Sequence, residues 1–145
     1  MSTSAILSSA GIRHRVVVEP QEAAAYRAAA TSYAEIVVLP KSEQGIAFVR
    51  QFVLETARGR AKDCRRFCMM DDDLKSVGIV RDHRCVKGDG GLLLKAADIF
   101  ERSGLAQMGL QYNQYAWCAK SAFTCPCHCD CVSFFDVERT RQANY

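Results

Sequence analysis

Residues 65–76 read RRFCMMDDDLKS, a short apolar run that ends in three consecutive aspartates. Adjacent carboxylates repel one another, so something positive is expected beside them: a metal ion, a basic side chain or a salted surface. In an extended segment residues i and i+2 point the same way. That would bring Asp71 and Asp73 together and turn Asp72 towards the fold. Two hard oxygen donors at this spacing suit Mg2+ or Mn2+, which keep several waters and take substrate phosphates as further ligands. The triplet also reads as a solvated acidic turn, or as Asp73 capping a following helix.

A second group of potential ligands is CPCHCDC, with Cys125, Cys127, Cys129 and Cys131 at alternate positions, His128 between them and Cys118 upstream. Thiolates and imidazole bind zinc, but zinc sites pair cysteines at C-x2–4-C so that a tight turn converges the sulfurs. Strict alternation splays them along an extended segment. The favoured reading is a loop entering the strand CVSFF, with Cys131 as a small buried hydrophobe. Cys64, Cys68 and Cys85 read as core or incidental residues, and His14, His83 and His128 are scattered. Trp117, with Tyr112 and Tyr115 nearby, could stack on an acceptor base or sugar; such aromatics more often fill a core or its rim.

The elements that must position these residues follow from the apolar pattern. STSAILSSAG reads as a short helix closed by Gly11. HRVVVEP is a buried strand ending at Glu19-Pro20, and PQEAAAYRAAATS a helix with proline near its first position. EIVVLP is a second strand and KSEQG a loop. GIAFVRQFVLETARG is an amphipathic helix with Ile46, Val49, Val53 and Leu54 on one face. RRFCMM is a third strand. Continuous apolar strands alternating with helices argue an α/β fold with a parallel sheet covered on both faces. Beyond Asp73 lies a hairpin or irregular lobe turning around Arg81–Arg84. A helix then runs from Asp89, a candidate cap, to Gly104. LAQMGLQYNQYAW stays open between strand and loop, and CVSFFDV is a late strand. In open α/β sheets ligands sit at the carboxyl ends of strands, which gathers Glu19-Pro20, Pro40–Gly45 and Asp71–Asp73 at one edge.

The bulk numbers permit this. A chain of 145 residues suffices for one domain with a real core. Apolar residues at 49% and charged residues at 24% argue against wholesale disorder. The net charge of +3 permits a phosphate-bearing partner without demanding nucleic acid. No secretory signal or membrane span is visible, so cytoplasm or nucleus is expected, where thiols stay reduced.

RVVVEP, VVLPKSEQGIAFVRQF and RFCMMDDDLKSVG, in this order, resemble the core blocks of a GT-A-type glycosyltransferase. More narrowly they are similar to the TET-associated glycosyltransferase family, proposed to glycosylate oxidised methylpyrimidines in DNA. The resemblance covers residues 10–145 and is strongest from Arg15 to Gly78. A D-x-D element alone is unspecific; its spacing from V-x-E-P, L-P and G-I-x-x-x-R is what carries the match. The resemblance implies a Rossmann-like three-layer sandwich with a mostly parallel sheet and a UDP-type nucleotide sugar as donor. It also implies a hydroxyl acceptor, by family a hydroxymethylated pyrimidine in DNA. Asp71 and Asp73 would hold a divalent metal, Mn2+ or Mg2+. Glu19 would lie near the base or ribose, and Gly45 and Arg50 would approach the nucleotide.

Each assignment has a plainer counterpart: Glu19 as a helix cap, Gly45 as a turn residue, Arg50 paired with Glu55 or an aspartate. Against the family pattern, a strand before the first helix and an acidic segment beyond Tyr145 are missing. The expectation is therefore a single partial domain over 1–145. The rival readings are an inactive fragment, another metal-dependent nucleotide enzyme such as a nucleotidyltransferase, and a soft-metal module on Cys125–Cys131.

Overall fold

A computed structural model describes residues 2–119, 121–124, 129 and 131–141. The chain is a mixed α/β structure with short sheets. Helix α1 (Thr3–Ser9) starts at an N-cap serine, Ser2, whose hydroxyl accepts the Ala5 N–H. It stops at Ala10, and Gly11 takes a left-handed φ of +70° that swings the chain into strand β1 (His14–Val18). Pro20–Glu22 form a 3-10 turn leading into α2 (Ala23–Ala29), and β2 (Ala34–Val38) returns parallel to β1, with His14 opposite Ala34 and Val18 opposite Val38. Helix α3 (Gly45–Gly59) and strand β3 (Arg66–Met70) complete the alternating half.

The second half is antiparallel. Strands β4 (Val77–Arg81) and β5 (Arg84–Gly88) form a hairpin whose two turn residues, Asp82 and His83, both have positive φ. That geometry belongs to the tight turn that matches strand twist. Helix α4 (Gly91–Ser103) ends at Gly104 with φ +67°. Asp89 does not occupy the N-cap, which is Gly90, but its Oδ1 accepts the Gly91 N–H at 2.8 Å. LAQMGLQYNQYAW divides into β6 (Gln107–Leu110) and a 3-10 turn (Asn113–Cys118). Strand β7 (Val132–Asp136) is buried along its whole length and sits between β3 and β6, antiparallel to both.

Among the described residues β1–β2 is the one parallel ladder, so the expected mostly parallel sheet is not what these ladders form. Continuous apolar runs report burial on both faces, not strand direction. β7 shows this: it is buried along its length between two antiparallel neighbours. The core lies on one face of β3-β7-β6, where Ile6 and Leu7 of α1 meet Leu93 and Phe100 of α4, with Cys131, Val132 and Phe134. Phe67 stacks on its ladder partner Phe135 at 5.1 Å. On α3 Leu54 is buried, whereas Ile46 is 62% exposed and leaves the expected apolar face. No helix among the described residues is long and apolar enough to cross a membrane.

Candidate functional site

Strand β3 delivers the aspartates to an edge of the sheet. Its last residue, Met70, lies opposite Val132, and the Asp71 N–H donates to the Cys131 carbonyl at 2.9 Å. Beyond that bond the chain leaves the ladder and turns at Asp72 and Asp73. The alternation of an extended segment therefore stops at Asp71. Asp72 and Asp73 are both exposed, so Asp72 is not turned into the fold as expected; only its backbone faces inward.

The turn is held by a residue that sequence reading passed over. Thr3, buried at the start of α1, donates its hydroxyl to the Asp71 carbonyl at 2.5 Å and accepts the Leu74 N–H at 3.0 Å. Its own N–H donates to the Asp72 carbonyl at 3.1 Å. One threonine thus spans the turn from Asp71 to Leu74. The polar start of an N-terminal helix, STS, was the signal, but its partner is 68 residues away and leaves no local trace.

Arg50 in the second turn of α3 reaches the same aspartate. Its Nη2 lies 3.3 Å from Asp71 Oδ1, with the two side chains 31% and 34% exposed. Of the plainer roles for Arg50, pairing with an aspartate is the one observed, while Glu55 accepts instead from Gln51. Gly45 opens α3 with φ +76°, and the space where a Cβ would stand is open. Its glycine is required by backbone conformation, not by crowding.

Glu19 does not cap the 3-10 turn that follows it. Its Oε1 accepts the Glu43 N–H at 2.9 Å and its other oxygen accepts from Gln21, whose Oε1 in turn accepts the Ser42 hydroxyl at 2.5 Å. This chain of bonds ties the end of β1 to the loop before α3. It supports Glu43, a non-glycine residue at φ +57°, a conformation that costs about 1–3 kcal/mol unless its surroundings impose it.

β6 and β3 both oppose β7, so they run parallel to each other. Leu110 and Met70 both face Val132. The 3-10 turn carrying Trp117 therefore departs from the edge that carries the aspartates. Trp117 is 72% exposed, and Ala116 is the buried residue of that turn. Of the cysteine tract, Cys131 joins the core, and Cys129 lies so close to Gly109 that a Cβ there would stand 2.5 Å from its Cβ. Cys131 is a small buried hydrophobe, as the loop-into-strand reading expects, and Cys129 is half-buried. Cys125, Cys127 and His128 lie outside the described residues.

The described residues contain no group of three His, Cys, Asp or Glu able to hold a metal. Two carboxylates are nevertheless what a hydrated Mg2+ or Mn2+ on a phosphate asks of a protein. Asp71 and Asp73, hard donors on one solvent-facing turn, fit that demand in type.

The model of the TET-Associated Glycosyltransferase family matches residues 1–89. The chain belongs to this family. The matched stretch runs from α1 to the end of the β4–β5 hairpin and contains Glu19, Gly45, Arg50, Asp71 and Asp73, as well as Thr3. Trp117 and the cysteine tract fall outside it. No curated protein and no solved structure matches the chain. The family's name makes glycosyl transfer the activity to weigh against the geometry.

Proposed function

We propose that the chain is a GT-A-type glycosyltransferase unit that moves a sugar from a UDP-type nucleotide sugar to an acceptor hydroxyl. The acceptor we propose, by the resemblance of the chain's core blocks, is a hydroxymethylated pyrimidine in DNA. The observation that carries this reading is the meeting of the Asp71–Asp73 turn with Arg50 at the carboxyl end of β3. Asp71 and Asp73 are the residues that would hold Mn2+ or Mg2+. A divalent ion there supplies charge to offset the leaving diphosphate, the main demand of the reaction.

The chain's own groups do the rest. Arg50 offers a planar pair of donors to phosphate oxygens. The start of α3, where Gln44 makes no side-chain cap, presents backbone N–H groups and the positive end of a helix dipole. Glu19 fixes the loop that leads there, which makes it a support for the nucleotide-binding segment. Trp117, exposed on the turn that follows β6, would stack on the acceptor.

Calorimetric titration with UDP, with and without Mn2+, tests the reading. Metal-dependent binding that disappears in Asp71→Ala and Asp73→Ala supports it; absence of UDP binding by the folded protein removes it.

A further inference from the structure

We infer that Arg50 is an exchangeable counter-ion: it neutralises Asp71 until a divalent cation and a diphosphate arrive together, then passes from the carboxylate to the phosphate. This rests on the glycosyltransferase reading above and adds to it a device that couples metal to nucleotide.

The pair has the properties such an exchange needs. At 3.3 Å, with both side chains about a third exposed, it belongs to the class of ion pairs that water and salt weaken most. When a cation arrives, Arg50 must move or share. A cation arriving alone at Asp71 meets a fixed positive charge a few ångströms away and is repelled by it. A diphosphate removes that obstacle, since it offers the guanidinium two oxygens in bidentate geometry. Arg50 is carried on a helix of 15 residues anchored by buried Leu54. The helix stays in place while the long side chain changes partner.

Coupling of this kind is reciprocal: nucleotide tightens metal by the factor by which metal tightens nucleotide. One substitution should therefore move two affinities in opposite directions. With Mn2+ alone, followed by the paramagnetic signal of the free ion, Arg50→Gln is expected to bind about three- to tenfold more tightly than the parent chain. With UDP at saturating Mn2+, followed by calorimetry, the same variant is expected to bind about tenfold more weakly. Arg50→Lys, which keeps the charge and loses the fork, should restrain Mn2+ like arginine and recover only part of the UDP affinity. A merely structural arginine would weaken both affinities or neither, and either result overturns the inference while leaving the metal site standing. Asp71→Ala separates the two levels: if it leaves Mn2+ binding intact, the site reading falls and the exchange with it.

Discussion

Asp136 and Asp71 stand at opposite ends of strand β3, about 16 Å apart for five strand residues, and each is met by arginine. Asp136 is wholly buried. Its Oδ2 lies 3.0 Å from Arg65 Nε, 3.7 Å from Arg66 Nε and 3.9 Å from Arg139 Nε, and its Oδ1 accepts the Glu138 and Arg139 N–H groups, each at 3.1 Å. Both oxygens are hydrogen-bonded, and two further guanidiniums stand within 4 Å. Burial by itself would push this carboxyl up, but the Arg139 N–H, the Arg65 guanidinium and the Glu138 N–H outweigh it and hold it below the usual carboxylate range. Asp71 has one guanidinium at a longer distance and a third of its side chain in water. The lesson is that an aspartate beside arginine is not one thing. Asp136 is buried among its partners and locks β3, β7 and the following turn together; Asp71 stays in contact with water.

The sharpest way to break this contrast is to replace Asp136. Asp136→Ala removes the acceptor of two N–H groups and leaves three guanidiniums without their buried carboxylate, for an expected loss of about 2–4 kcal/mol, a large part of the stability of a small domain. Urea unfolding monitored by circular dichroism measures it. A loss under ~1 kcal/mol would show that Asp136 is not the lock it resembles.

Asp136 should also shape the acid limb of stability. Its folded pKa is lowered, so the stabilisation is present above the ordinary carboxylate range and is lost as pH falls through the folded value. Asp136→Asn should flatten the decline in melting temperature below about pH 4 relative to the parent. An unchanged slope would assign acid unfolding to other carboxylates.

Next in size is the support of the Asp71 turn. Thr3→Val keeps shape and deletes the hydroxyl that joins Asp71 to Leu74, for an expected cost of about 1–2 kcal/mol, together with weaker Mn2+-dependent UDP binding. Stability loss with unchanged UDP affinity would mean that the turn does not need this clasp for its chemistry.

Asp71 itself should be nearly silent in unfolding. Asp71→Asn is expected to change stability by no more than about 0.5 kcal/mol, as for other part-exposed pairs, while abolishing metal-dependent nucleotide binding. A large stability loss would place Asp71 with Asp136 as a structural residue.

The strand between the two aspartates supplies an internal control. Burial pushes the Cys68 thiol up to about 12, only partly offset by the Ser133 backbone hydrogen bond. Alkylation at pH 8 followed by mass spectrometry should label the exposed Cys64 and Cys118 well before Cys68. Rapid labelling of Cys68 would show that β3 opens, and would weaken the picture of a fixed strand with a lock at one end.

The parts legible in the sequence are those with local causes. Apolar runs gave β1, β2 and β3; Gly11 and Gly104 gave helix ends; the apolar block CVSFFDV gave β7. The three carboxylates that follow β3 were legible as the point where an apolar run stops and a polar turn begins. The expected sheet direction failed because an apolar run is equally at home in parallel and antiparallel ladders. Ile46 failed because a helical face predicts which residues align, not how far along the helix the core extends. Asp136 drew no attention, since an aspartate closing an apolar strand looks like any strand end until Arg65, Arg66 and Arg139 converge on it.

By itself, then, the sequence determined the order of its short strands and helices, the polar punctuation between them and the run of carboxylates that follows β3. These depend on backbone preference and side-chain periodicity within a few residues. Tertiary structure alone decided that Thr3 clasps the aspartate turn, that Arg50 meets Asp71, that Glu19 supports a loop instead of capping a helix, and that Asp136 is buried under arginines. Each of these contacts joins residues from separate elements, and its energy depends on burial and distance, which no local pattern encodes.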